Sequence, residues 1–161
     1  MCKMNKCSTT YNVSKYVDLS EYQQLVNKYL NRQDIKIDVC VRESTQTMYA
    51  AHRYNKETKV YEADHIIIGM WFLIKHMKHI KEYLAHECAH ILLKHGARVH
   101  THKYINSHQA EHEADELGAL LIGEPVRLAS AIKNGIPNTK ESKSHPSSDA
   151  RIEHILSLYM E

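Results

Sequence analysis

The sequence lacks any apolar run long enough to cross a lipid bilayer. Its longest run, residues 66–74, covers nine residues and includes Gly69, about half of what a bilayer-spanning helix needs. The N-terminus has no apolar core of the kind that signal peptides carry. With 21 basic and 19 acidic residues, the chain has no excess charge that would favour nucleic acid or an anionic membrane. We therefore expect a soluble protein with neither a nucleic-acid nor a membrane partner.

The cysteines have no recognisable arrangement. The four cysteines, Cys2, Cys7, Cys40 and Cys88, form no CxxC pair and no spacing typical of a disulfide framework. This pattern is more typical of a reducing compartment than of a secreted protein, so we expect a cytoplasmic location.

The length indicates one domain. A compact chain of 161 residues buries roughly 70% of the surface that its unfolded form exposes, which is enough for one core around a cleft. Residues 1–17 are polar and mixed, so we expect an irregular N-terminus followed by a single domain over residues 18–161. Neither length nor composition indicates the oligomeric state.

Alternation of apolar and polar residues predicts a small sheet in the first half of the domain. Strands are expected over residues 35–42, 47–54, 58–62 and 65–69. A turn at residues 55–56 joins two of them, and the last strand is almost wholly apolar, which is typical of a buried strand. We therefore predict a mainly antiparallel sheet.

Helical spacing predicts five helices, so the fold class is α+β, with the small sheet packed on a helical half. The first helix begins at Ser20, where Gln23 stands at the position of a capping box. Another surrounds residues 86–90. The remaining three are expected over residues 107–122, over residues 125–135, and from Ser147 or Ser148 onward.

One stretch, His86-Glu87-Cys88-Ala89-His90, matches the pattern HExxH. Residues in an α-helix are about 100° apart, so His86 and His90 lie on one face and Glu87 lies beside it. Two imidazoles at this spacing can bind one tetrahedral Zn²⁺, while the carboxylate reaches a water on the metal. Because 13 of the 161 residues are histidine, the motif alone does not establish a site, and its surroundings must decide.

The helix around this motif has two faces. The apolar positions fall on the half opposite His86, together with one more histidine: Ile80, Leu84, Cys88, Ile91, Leu92 and His95. We expect this half to pack on the core, with Cys88 as a packing residue and His95 as a structural histidine. Gly96 then marks the expected end of the helix.

A catalytic zinc site needs three protein ligands and one open position. The second long helix carries Glu111 and Asp115 on one face, whereas Glu113 points to the opposite side. Glu111 is the expected third ligand, and Asp115 can accept a hydrogen bond from a ligand histidine. Ala114 and Gly118 are small enough to let this helix approach its neighbour. The simpler alternative is a solvated acidic helix face.

Three ordered motifs also resemble a known family. They are HExxH with a histidine five positions later, then Glu111-x-x-Ala114-Asp115, then His145-Pro146-x-x-x-x-Arg151. Together they resemble the gluzincin metallopeptidases of the HtpX and CAAX prenyl protease type, including the small soluble minigluzincins. The family usually has glycine in place of the alanine within HExxH, and its best-known members have transmembrane helices.

The resemblance implies a zincin-like fold with zinc as cofactor and with the three metal ligands already named. It also implies roles for three further residues. Asp115 would be the partner of a ligand histidine, His145 would donate a hydrogen bond to the transition-state oxyanion, and Arg151 would hold the site carboxylates.

These features together predict a zinc-dependent endopeptidase that acts on a peptide or protein substrate. Glu87 would deprotonate the metal-bound water and pass the proton to the leaving amine. The strand over residues 65–69 is expected to form the cleft rim and to pair with an extended peptide. His100 and His102 could extend the metal site, although isolated loop histidines are usually solvated.

Two alternatives stay open. The first is a SprT-like protease that keeps HExxH but takes His108 or His112 as its third ligand. The second is a zinc-stabilised binding module whose cleft is blocked, for instance by the tail after Arg151. A binding module has no need for the carboxylate of Glu87, which favours the enzyme.

Overall fold

Six α-helices, a short 3₁₀ turn and a three-stranded sheet make up the described part of the chain. The structure, a computed structural model, describes residues 18–32, 34–43, 45–96, 106–135 and 145–160. The helices are α1 (Ser20–Leu30), α2 (Met70–Lys75), α3 (Ile80–Leu92), α4 (Ser107–Ile122), α5 (Pro125–Asn134) and α6 (Ser148–Ser157), with the 3₁₀ turn at Met77–His79. The strands are β1 (Asp38–Arg42), β2 (Met48–Asn55) and β3 (Val60–Gly69). The predicted α+β class is confirmed.

Some of the sequence predictions concern residues outside the described ranges. These are the irregular N-terminus over residues 1–17, with Cys2 and Cys7, and the loop histidines His100 and His102. Within the described ranges, none of the helices combines the length and the apolar character that a membrane span requires.

The sheet has the strand order β1-β3-β2 and is mixed. β3 runs parallel to β1 and antiparallel to β2, so the prediction of a mainly antiparallel sheet is right for one pairing and wrong for the other. The reason is that β3 lies between β1 and β2. This order depends on contacts between distant parts of the chain, which the alternation pattern does not report. The ladder of β1 begins at Asp38, three residues later than the alternation predicts.

β3 is one ten-residue strand where the pattern predicts two. The register of the β2–β3 pairing shifts between Ala51 and His52, so that Asp64 forms a bulge with no paired residue on β2. Asp64 is also the position at which the sequence alternation breaks. The predicted turn before β3 is confirmed, because Oδ1 of Asn55 accepts a hydrogen bond from the N–H of Glu57 at 2.9 Å.

Gln23 connects α1 to β1 and does not cap the helix. Its side-chain amide donates to the carbonyl of Ile37 at 2.8 Å and accepts from the N–H of Val39 at 2.9 Å. The predicted capping box is therefore wrong. The first turn of α1 is instead hydrogen-bonded by Asp18, whose Oδ1 accepts from the N–H of Ser20 at 2.9 Å. The amide of Gln23 thus takes the place of a neighbouring strand along part of β1.

The main core lies between the sheet and α3. Ile66 and Ile68 of β3 are fully buried, and so are Ile80, Leu84 and Cys88 of α3. Burying an aliphatic side chain of this size contributes about 1.5–3 kcal/mol to stability. Burial also raises the pKa of the Cys88 thiol, which suits the predicted packing role. The apolar face of α3 is thereby fixed on the core, and its other face turns toward α4.

α4 lies close against α3 at Gly118. A Cβ atom built at this position would lie 3.3 Å from both Cα and N of His86, which leaves little room for a side chain. Ala114, one turn earlier on the same face, is fully buried. The predicted close approach is confirmed, and it brings the side chains of the two helices into direct contact.

A second, smaller core joins α4, α5 and α6. Its buried members are Ala119, Leu128, Ala129, Ile132 and Ile155. The predicted bounds of α5 and the predicted start of α6 agree with the structure: Pro125 begins α5 and Gly135 follows it, while Oγ of Ser147 accepts from the N–H of Ala150 at 3.2 Å and caps α6. The predicted end of α3 at Gly96 is wrong, because α3 ends at Leu92. This core holds the start of α6 next to α4.

Candidate metal centre

His86 and His90 lie one turn apart on α3, with their Nε2 atoms 3.0 Å apart. His86 is buried and His90 is partly exposed. Two basic nitrogens lie this close when they share a cation or a proton. The geometry therefore turns the two motif histidines toward one common position.

Glu111 of α4 completes a group of three side chains with His86 and His90, which we call the metal group. Its Oε2 lies 3.3 Å from Nε2 of His86, and its Oε1 lies 3.3 Å from Nε2 of His90. Neighbouring ligands on a tetrahedral zinc are about 3.3 Å apart when metal–ligand bonds are about 2.0–2.1 Å. The three side chains can therefore hold a metal ion. Among the described residues they are the one group of three or more histidine, cysteine or acidic side chains with this property.

Asp115 fixes the ring of His86. Its Oδ1 lies 2.9 Å from Nδ1 of His86, and the residue is fully buried. An ionised carboxylate only accepts hydrogen bonds, so Nδ1 of His86 carries a proton. When the ring is neutral, Nε2 presents its lone pair to the common position, as expected of a histidine that binds metal through Nε2.

Arg151 of α6 holds Asp115 in turn. Its Nε donates to Oδ2 at 2.8 Å and its Nη2 donates to Oδ1 at 2.7 Å. Burial alone would raise the pKa of Asp115, but the hydrogen bonds and charge of Arg151 outweigh it and the pKa is lowered. Nη2 also lies 3.8 Å from Oε2 of Glu111. Arg151 thus lies against the carboxylates of both Asp115 and Glu111.

The charges of the group favour a cation at its centre. Burial lowers the pKa of His86, but hydrogen bonds to Asp115 and Glu111 outweigh this effect and raise it to about 10. Burial raises the pKa of Glu111, yet hydrogen bonds from His86 and His90 bring it well below its usual range. The surroundings thus stabilise positive charge next to an ionised carboxylate, which a cation site requires.

Glu87 follows His86 on α3, and its side chain is hydrogen-bonded to strand β2. Its Oε2 accepts a hydrogen bond from the backbone N–H of Ala50 on β2, at 3.1 Å. A carboxylate has a second oxygen that can accept a proton. The side chain is therefore oriented by the sheet through one of its two oxygens.

His145 lies at the edge of the site, just before α6. Its Nε2 is 3.9 Å from Oε1 of Glu111, and its side chain is 52% exposed. An imidazole in this place borders both the metal group and the solvent. The fold thus brings the last motif of the sequence to the first two.

His95 also lies at the site, so its predicted place on the opposite half of the helix is wrong. Its Nδ1 lies 2.8 Å from Nδ1 of His90, and its Nε2 lies 3.0 Å from Oε2 of Glu113. Because α3 ends at Leu92 and Lys94 has a left-handed φ of 55°, the chain turns before residue 95. Glu113, predicted to point away, therefore reaches the site through His95. The histidine five positions after HExxH was the available signal.

His108 and His112 of α4 lie outside the metal group. The ring of His112 packs on that of His154, with centroids 4.4 Å apart, and Nε2 of His154 lies 2.6 Å from Oε1 of Glu116. The geometry gives no support to a histidine as third ligand.

Residues 65–69 form the middle of the sheet, so the prediction that they form the cleft rim is wrong. They pair with β1 on one side and with β2 on the other, and a peptide cannot add to a strand paired on both sides. The prediction relied on nearness in sequence to α3. The strand order instead makes β2 an edge strand, and its residue Ala50 contacts Glu87.

Comparison of the chain with protein-family models, with curated proteins and with solved structures gave no match.

Proposed function

We propose that the protein is a zinc-dependent endopeptidase of the gluzincin type. The observation that carries the proposal is the grouping of His86, His90 and Glu111 around one position, with Glu87 beside them but outside the ligand set. Two imidazoles and one carboxylate are a ligand set of catalytic zinc sites that keep a fourth position open. The two imidazole nitrogens and the close spacing of the three ligand atoms also favour zinc over magnesium or calcium, which prefer oxygen ligands.

Glu87 is the proposed general base. Zinc at this site would supply a water of lowered pKa and polarise the scissile carbonyl. With zinc bound, the oxygen of Glu87 that does not bond Ala50 would accept a proton from a water at the site and would later donate it to the leaving amine. The N–H of Ala50 holds the other oxygen, so the carboxylate keeps its orientation through both transfers.

The substrate is proposed to bind along β2. The N–H of Ala50 points away from β3, because it donates to Glu87, and backbone groups of an edge strand alternate between the paired side and the open side. An extended peptide that pairs with the open side would pass next to Glu87. This position replaces the cleft rim expected at residues 65–69.

Substitution of Glu87 tests the enzymatic proposal. Glu87→Gln removes the base without removing a ligand, so it should retain about one zinc per chain and lose peptide cleavage. The matched control is Glu153→Gln, an exposed glutamate on α6, which should keep both properties. Elemental analysis that finds no zinc in wild-type protein, with none bound on addition, would overturn the proposal.

A zinc-stabilised binding module is the second candidate, and one observation favours it. The bond between Glu87 and the N–H of Ala50 joins α3 to the sheet, so the carboxylate also has a structural use. The binding module would show bound zinc but no cleavage of any member of a broad peptide library. In that case Glu87→Ala, which removes the acceptor of this bond, would lower stability, and wild type would have no activity to compare.

The third ligand separates this proposal from a SprT-like site. Glu111→Gln should remove most of the zinc, because it removes a charged ligand atom from a buried group. His112→Ala should leave zinc content unchanged, because His112 packs on His154 and lies outside the metal group. The opposite result, with zinc lost only in His112→Ala, would assign the third ligand to a histidine.

A further inference from the structure

The two ligand histidines have different outer partners. Nδ1 of His86 meets the carboxylate of Asp115 at 2.9 Å. Nδ1 of His90 meets another imidazole nitrogen, Nδ1 of His95, at 2.8 Å. Two nitrogens at this distance must share one proton, so one of them donates and the other accepts.

The metal group decides which nitrogen donates. A neutral histidine that binds a metal through Nε2 carries its proton on Nδ1, and Nε2 of His90 faces His86 and Glu111 at 3.0 and 3.3 Å. Nδ1 of His90 therefore donates to Nδ1 of His95. The proton of a neutral His95 must then be on its Nε2.

Glu113 lies where that proton points. Its Oε2 is 3.0 Å from Nε2 of His95, and its Oε1 accepts a hydrogen bond from Nε2 of Gln109 at 3.0 Å. The carboxylate is thus held at both oxygens. The side chain of His95 is only 4% exposed, and hydrogen bonds in such a dry environment are strong.

We propose that His95 and Glu113 are positioning residues for the metal ligand His90, acting as a two-residue relay from ligand to carboxylate. The inference rests on the proposed metal site and deepens it. Asp115 orients His86 directly, because α4 lies close against the backbone of His86 at Gly118. At His90 the imidazole of His95 spans the distance to Glu113, orients the ring and makes its Nε2 a stronger donor to the metal.

Zinc affinity, measured by competition with a chelating dye, tests the relay. Loss of an outer hydrogen-bond partner typically weakens metal binding by about 10- to 100-fold, and we expect Glu113→Ala to fall in the lower part of this range. Glu113→Gln keeps an oxygen that can accept from His95, so it should recover most of the affinity. The matched control is Glu116→Ala on the same helix, which breaks a glutamate–histidine contact with His154 that leads to no ligand.

A spectroscopic readout separates positioning from packing. In zinc-loaded protein, ¹⁵N NMR of the histidine rings should show His95 protonated on Nε2, and His86 and His90 protonated on Nδ1. Glu113→Ala should leave His95 in a mixture of the two tautomers, whereas Glu116→Ala should not. A packing role would fix neither the tautomer nor its dependence on Glu113.

Two results would overturn the relay while leaving the proposed function intact. The first is a Glu113→Ala variant that binds zinc as tightly as wild type. The second is a zinc-loaded wild-type protein in which His95 is protonated on Nδ1. Absence of zinc binding in the wild type is a different outcome, and it removes the relay together with the proposed enzyme. His95→Ala can be added if it folds, but the glutamate variants decide the question without it.

Discussion

Arg151 binds both carboxylate oxygens of Asp115, at 2.8 and 2.7 Å, and Asp115 is fully buried. Because Asp115 also holds the ring of His86, the orientation of a residue on α3 depends on a cation near the end of the chain. α6 is thereby part of the candidate metal centre as well as part of the second core.

Arg151→Ala should lower the free energy of unfolding by about 3 kcal/mol, because it leaves a buried carboxylate without its cation. Urea denaturation of the metal-free protein measures the loss. The control is Arg32→Ala: Arg32 pairs with Asp34 at the surface, and solvent screens that pair. Arg32→Ala should change stability little. Equal losses in the two variants would show that the pair with Asp115 is not a stabilising element.

His145→Phe should leave zinc content and melting temperature near those of wild type and reduce turnover by about 10²- to 10³-fold. The reason is that a hydrogen-bond donor near the metal group stabilises an oxyanion more in the transition state than in the ground state. His145 lies 3.9 Å from Glu111 and is half exposed, so its loss should not disturb the core. Steady-state kinetics on any cleaved peptide provide the measurement, and unchanged kcat would mean that His145 only precedes a helix.

Gly118→Val should destabilise the fold by about 1–3 kcal/mol, the usual cost of forcing extra carbons into a packed contact. Even one Cβ atom would lie 3.3 Å from the backbone of His86, so valine must push α4 away from α3. Zinc affinity should fall as well, because Glu111 moves with α4. Leu120→Val is the control, since Leu120 is 63% exposed on the same helix; similar effects of both variants would point to helix propensity instead.

Tyr83 should make stability fall at alkaline pH. Burial raises the pKa of its hydroxyl from 10.0 to about 12, and the hydroxyl donates to the carbonyl of Ala131 at 2.7 Å. The folded state therefore keeps the proton at pH values where the unfolded state has lost it. The stabilising contribution of Tyr83 is complete below pH 10 and is lost as the pH rises through about 12. Unfolding of wild type and Tyr83→Phe, compared from pH 9 to 12, should show a difference that shrinks across this window.

α4 and its side chains could be predicted from the sequence because their geometry is local. The helix has the predicted bounds, and Glu111, Asp115 and Gly118 face α3 as their spacing requires. Within a single helix, the angle between two residues depends only on their separation along the chain. The face of this helix that carries the candidate metal ligand therefore follows from the sequence alone.

His95 could not be placed in this way, because its position depends on where α3 ends. A helical wheel assumes that the helix continues, whereas the left-handed backbone of Lys94 redirects the chain before residue 95. The strand order could not be predicted for a similar reason. β3 lies between β1 and β2 because of packing across the whole fold, and alternation within one strand contains no information about its neighbours.

The side chain of Gln23 gives the sheet two unequal edges. Its amide bonds the carbonyl of Ile37, just before β1, and the N–H of Val39 within it, and strand edges blocked in this way resist pairing with other chains. The opposite edge, along β2, is the one that contacts Glu87. A second copy of the protein that joined this sheet strand to strand would therefore occupy the proposed substrate position, so that self-association through β2 and peptide binding would exclude each other.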